Sequence, residues 1–306
     1  MATPTTQIVA QLDGSTEPSA KDAGVPFAKD AGVLAPRIYR HRWPTRIWHW
    51  VNAVTLLILL MSGLMIFNAH PRLYWGQYGA NNDPAWLEVR STATDGYLRI
   101  GSAEVRTTGV LGHWKNEAGE VKRWAFPHWA TIPSGYSLAD GRRWHLFFAW
   151  VLAIGMTLYM LWSLVSRHIS RDLHVTRAEW SPRHIWDDIK KHARLRFPTG
   201  EAAARYHVLQ KLAYIGVIFV LLPLMVLTGL TMSPGMNAAA PWLLDLFGGR
   251  QSARSLHFIA TWALVGFFFV HMAMVLLAGP INEVRSMLTG WFTLPQPKPV
   301  KEQADG

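Results

Sequence analysis

The chain has 306 residues, 50% apolar and 16% charged, with a formal charge of +10 and no cysteine. A soluble chain carries about 25% charged residues, so the deficit points to a membrane, and the basic balance reads as loops beside spans rather than a nucleic-acid surface. The lack of cysteine excludes a disulfide framework, a Cys-ligated iron–sulfur cluster, a Cys-based zinc site and a thioether-attached haem.

The N-terminal stretch 1–40 is rich in Ala, Gly, Thr, Asp and Pro and contains a tandem octad, KDAGVPFA then KDAGVLAP. It has no apolar signal-peptide core and reads as a disordered cytoplasmic tail. Four apolar runs of bilayer length follow, at about 47–67, 144–165, 208–230 and 256–278. Pro223 in the third is expected to kink a helix without ending it. Residues 68–143 are too many for a plain connector. They combine β-like alternation (YLRIGSAEVRTT), a hairpin around NEAGE, and Trp75, Trp86, Trp114, Trp124 and Trp129. These tryptophans can dock a partner, line the headgroup belt or fill a small core. The 167–207 loop carries nine Lys/Arg, and Arg37, Arg40, Arg42 and Arg46 precede the first span. The positive-inside rule then puts both termini and this loop in the cytoplasm, and 68–143 with the 231–255 loop outside. Residues 293–306 form a C-terminal cytoplasmic tail.

Ionisable residues inside spans are costly and point to function. His49 lies near the inner end of the first span and His145 near the outer end of the second. His257 is outer and His271 inner in the fourth, fourteen residues or about 21 Å apart. Depth therefore pairs His49 with His271 and His145 with His257. Two facing imidazoles at one depth are what bis-histidine haem b requires, and six-coordinate iron transfers electrons without an open oxygen site. Arg46, Arg142 and Arg254 each precede a histidine by three residues, on a shared helix face and nearer the surface, where haem propionates want a cation. Arg46 is equally explained as a positive-inside arginine. Gly63, fourteen residues after His49, falls at the outer depth and can admit a porphyrin edge or serve ordinary helix packing. Tyr206, His207, Gln210 and Lys211 open the third span on the inner side. They can bind a quinone headgroup as substrate, or Lys211 can snorkel while Gln210 caps. His70, His113, His128, His168, His174, His184 and His192 read as surface or interfacial residues.

The motifs HRWPTRIWHW, LYWGQYG, TTGVLG, FPHWATIP, GRRWH, YHVLQKLAY and HFIATWALVGFFFVH resemble the bacterial di-haem cytochrome b subunits of formate dehydrogenases, nickel–iron hydrogenases and thiosulfate reductases, over about residues 40–292. His207 departs from that pattern, which usually has asparagine. The resemblance implies an all-α integral membrane fold: a four-helix transmembrane bundle binding two haems b at His49/His271 and His145/His257, with a small periplasmic insertion between helices 1 and 2. It also implies a quinone site near the inner haem. The expected role is electron transfer in the bacterial inner membrane between the quinone pool and a periplasmic redox partner. That partner would hold molybdenum, nickel–iron or iron–sulfur chemistry, and the chain itself would do no substrate chemistry. The alternatives are a stand-alone haem b quinol:acceptor carrier and, from another class, a haem-free transporter or membrane anchor.

Overall fold

The structure, a computed structural model, describes residues 36–167, 181–193 and 208–295, without the side chains of residues 184 and 191–193. The octad tail, Tyr206, His207, most of the basic loop with His168 and His174, the side chains of His184 and His192, and the chain after residue 295 lie outside the described residues.

Four helices are long and apolar enough to cross a membrane: α1 (Trp43–Asn68), α2 (Leu138–Val165), α4 (Val208–Thr231) and α7 (Arg250–Ala278). Three of them begin four to six residues before the apolar runs, because polar first turns belong to the helices. In α2 the Ser137 hydroxyl accepts from the Asp140 N–H at 3.3 Å and donates to its carboxylate at 2.7 Å, a side-chain N-cap. In α7 the free N–H groups of Gln251 and Ser252 donate to the Gly76 carbonyl, both at 3.1 Å. The π turn Val217–Leu221 just before Pro223 lets α4 continue across the missing N–H. Short helices complete the set: α3 (Pro182–Ala193), α5 (Pro234–Ala239), α6 (Trp242–Leu246) and α8 (Pro280–Thr289).

Leu59, Leu152 and Leu222 bury together between α1, α2 and α4, with Trp48 and Phe148 against them. Gly155 of α2 makes the close approach possible, since a Cβ there would stand 2.4 Å from the Trp48 ring. Elsewhere the spans turn large apolar side chains outward, among them Leu57, Phe147, Leu158 and Phe269. That exposure suits acyl chains.

The segment between α1 and α2 folds over one end of the bundle. An antiparallel sheet runs β2 (Arg72–Leu73), β3 (Leu87–Ser91), β4 (Gly96–Ile100), β5 (Ala103–Arg106), and β6 (Trp114–Lys115) pairs with β7 (Val121–Lys122). Leu73, Leu87, Val89 and Phe126 pack on Leu64 and Phe67 of α1. The Asn68 amide pins the seam: its Nδ2 donates to the Phe126 carbonyl and its Oδ1 accepts the Phe126 N–H. Trp86 donates through Nε1 to Ser255 of α7 at 2.9 Å, and Ser255 donates to the Tyr74 carbonyl at 2.6 Å. The tryptophans therefore divide. Trp114 is buried and Trp86 is fixed to α7, whereas Trp75 and Trp129 are exposed.

Glu88 is buried between Arg72 at 2.6 Å and Arg99 at 2.7 Å. Both arginines keep access to water, so removing the carboxylate does not strand a fully buried cation. Glu88→Ala is expected to destabilise this sheet by about 1–3 kcal/mol, seen as faster proteolysis within residues 69–137 while the helices resist.

At the opposite end β1 (Arg37–Tyr39) pairs antiparallel with β8 (Trp291–Thr293), joining the chain before α1 to the chain after α8. Arg40 faces Glu283 of α8 at 3.8 Å, and burial raises the Glu283 pKa against the opposing effect of that arginine.

Candidate functional site

The bundle brings four histidines from three helices into two pairs. His49 of α1 and His271 of α7 have ring centres 6.3 Å apart, and so do His145 of α2 and His257 of α7. The first pair lies toward the β1–β8 end and the second toward the sheet end. A first-row metal sits about 2 Å from an imidazole nitrogen. The ring centre lies roughly 1.2 Å beyond that nitrogen, so two imidazoles on opposite sides of one metal place their centres about 6.4 Å apart. Both pairs match this separation. At either spacing the two imidazoles could hold one metal ion between them.

The surroundings of the two pairs differ. At the sheet end, the Ser62 hydroxyl of α1 is 3.1 Å from His145 Nδ1, and the Thr228 hydroxyl of α4 is 2.9 Å from His257 Nδ1. The residue after each hydroxyl is glycine. A Cβ at Gly63 would stand 3.4 Å from His145 Cε1, and one at Gly229 would stand 3.5 Å from His257 Cε1. Gly63 thus faces the imidazole at the depth its spacing implied. At the other end His49 is edge-on to Trp50 and His271 stacks on Phe267. His49 Nδ1 is buried with no hydrogen-bond partner among the described residues.

The three arginines have distinct settings. Arg254 donates to the His70 carbonyl at 2.5 Å and lies over the Phe67 ring. Arg46 donates through Nε to the Met287 carbonyl of α8 at 3.4 Å, next to the Trp50 indole N–H at 3.3 Å on the same acceptor. Arg142 is exposed near the start of α2. Gln210 and Lys211 are half-buried in the first turn of α4.

Sequence reasoning passed over three residues here, Ser62, Thr228 and Gly229, and read a fourth, His70, as surface or interfacial. The first three share a signal, a hydroxyl residue followed by glycine inside an apolar run. His70 stacks on Tyr74 with its Nε2 buried and unpaired among the described residues. Burial, then the Arg254 and Arg72 charges, lowers its pKa, so it stays neutral at pH 7.

Residues 40–290 match the family model described as prokaryotic cytochrome b561. The chain is 26% identical over 235 residues to a putative protein-methionine-sulfoxide reductase subunit YedZ1 of Azospira oryzae, covering 76% of this chain and 87% of the relative. It is 22% identical over 296 residues to a probable Ni/Fe-hydrogenase B-type cytochrome subunit of Cupriavidus necator, covering 92% and 97%. A protein of the same description from Azotobacter vinelandii is 22% identical over 275 residues, covering 86% and 91%. No solved structure matches the chain significantly.

Proposed function

The chain belongs to the prokaryotic cytochrome b561 family, and from that membership we propose that it binds two haems b and passes electrons across a bacterial inner membrane. Family and relatives make it a multi-pass cytochrome b electron-transfer subunit that works with a redox enzyme. The haem-free transporter and anchor readings have no counterpart among these relatives.

The observation that carries the two-haem reading is the repeated 6.3 Å separation, found once near each end of the bundle. His49 and His271 hold one iron, and His145 and His257 hold the other. A haem bound by these four histidines would supply one-electron transfer. The chain's own part is to orient four imidazoles, to surround them with apolar side chains, and to place cations at the rim. Arg254, anchored on the His70 carbonyl, and Arg142 suit the propionates at the sheet end, and Arg46 suits those at the other. His257 and His271 stand on one helix about 21 Å apart along its axis, so α7 spans the route.

Three arginines before α1, Arg46 near its start, and nine Lys/Arg in 167–207 support placing that end in the cytoplasm. The sheet then faces the periplasm, where exposed Trp75 and Trp129 suit a partner's surface. The partner holds the nickel, molybdenum or iron–sulfur chemistry, for which this cysteine-free chain has no thiolate ligands. A quinone at Gln210 and Lys211, with Tyr206 and His207 beside them in sequence, completes the path. Lys211 donates to a quinone carbonyl, and the cytoplasmic face supplies protons.

The test is oxidation of the dithionite-reduced, purified chain by a soluble quinone. The reduced α band is expected to decay in the wild type and to decay about tenfold more slowly in Lys211→Ala, the loss of one charged hydrogen bond. A band that persists in the presence of quinone would overturn the quinone half of the proposal.

A further inference from the structure

Two short pieces of sequence, Ser62-Gly63 in α1 and Thr228-Gly229 in α4, occupy matching positions in the fold. Each lies on the first helix of an antiparallel pair, α1 against α2 and α4 against α7, and each faces a histidine on the second helix. Their hydrogen bonds also match. The Ser62 hydroxyl donates to the Ile58 carbonyl one turn back at 2.6 Å, and the Thr228 hydroxyl donates to the Leu224 carbonyl at 2.6 Å. With its only proton committed, each hydroxyl oxygen can only accept from the facing Nδ1. The Leu59 carbonyl at His145 and the Met225 carbonyl at His257 are second partners of the same imidazoles, and a carbonyl has no proton to give. Both Nδ1 atoms therefore carry the hydrogen. In a neutral imidazole that leaves the lone pair on Nε2, the nitrogen free to bind a metal.

We propose that Ser62 and Thr228 are positioning residues that set the tautomer and raise the donor strength of His145 and His257 toward the sheet-end iron. The inference rests on reading those two histidines as ligands. An acceptor on the far side of a ligating imidazole increases its basicity. A stronger donor favours the ferric state and lowers the reduction potential. In the other pair, His49 Nδ1 is without a partner among the described residues. The effect should therefore fall on one of two potentials.

The experiment is a potentiometric titration of the purified full chain, wild type against Ser62→Ala, Thr228→Val and Thr228→Ser. Valine keeps the shape of threonine without the hydroxyl, and serine keeps the hydroxyl without the methyl. The Leu59 and Met225 carbonyls remain in every variant, so haem content is expected to hold. The result expected is two b-haem steps in the wild type, an upward shift of one step in Ser62→Ala and Thr228→Val, no shift of the other, and wild-type behaviour in Thr228→Ser. If the wild type binds no haem, the ligand reading fails and takes this inference with it. If the wild type shows two steps and both hydroxyl-free variants titrate like it, the ligands stand and the hydroxyl role is overturned. Equal haem loss from Thr228→Val and Thr228→Ser would also overturn it, by pointing to packing rather than the hydroxyl.

Discussion

A His271→Ala variant is expected to lose one of two haems and keep the other. The pairing is geometric: His271 faces His49 at 6.3 Å, while His257, on the same helix, faces His145. If these imidazoles are the ligands, as proposed, removing one leaves its iron a single ligand in an apolar bundle. The neighbouring pair draws on α2 and on a turn of α7 about 21 Å away, with its own hydroxyl supports. Haem content per chain should fall by half, and the remaining b-type spectrum should keep its six-coordinate character. His145→Ala should do the same for the other haem. Loss of both haems from either variant, or of neither, would contradict the pairing.

A Gly63→Val variant is expected to lose the sheet-end haem with the other retained. A Cβ at this position already reaches van der Waals contact with His145 Cε1 at 3.4 Å. The two further methyl carbons of valine have no room unless the ring moves, and the ring cannot turn without breaking its bond to Ser62. Overpacking of this kind costs about 1–3 kcal/mol, and here it falls on a proposed haem ligand. Absorption of the purified variant at half the wild-type haem per chain, with the His271-dependent haem still present, is the outcome expected. Full haem content would show that the ring tolerates displacement.

The elements most legible in the sequence were those with a strong physical period or a high cost. Four apolar runs declare spans, and a histidine inside a span is rare enough to stand out. The fourteen-residue step from His257 to His271 returns to one helix face after four turns, so pairing by depth anticipated which rings meet. The first turns of α1, α2 and α7 were hidden because their polar residues, such as those of RQSARS, dilute the hydropathy that marks a span. Their helical state depends on partners distant in sequence, the Gly76 carbonyl for α7 among them. Ser62 and Thr228 were overlooked because a hydroxyl in a membrane helix commonly bonds its own backbone. Only the facing imidazole gives the oxygen a second role. Gly63 was singled out for its depth, and the structure supplies the neighbour that its missing side chain accommodates. The fate of the tryptophans was illegible for a similar reason: nothing local distinguishes Trp86, bonded to Ser255, from exposed Trp75 beside it.

Among the described residues, the same structure shows how one sequence holds two similar sites that are not equivalent. The sheet-end imidazoles are backed by hydroxyls whose protons are already spoken for. The pair near the β1–β8 clasp is backed by aromatic rings, Trp50 behind His49 and Phe267 beside His271. On the proposed two-haem reading, unequal surroundings of this kind would give the two haems different potentials.

The most direct measurement is haem stoichiometry. The full chain, produced with ample haem and purified in detergent, would be assayed by pyridine haemochrome against protein concentration. The account predicts two non-covalent b-type haems per polypeptide with low-spin, six-coordinate spectra. A value of one, or a colourless protein, would contradict it.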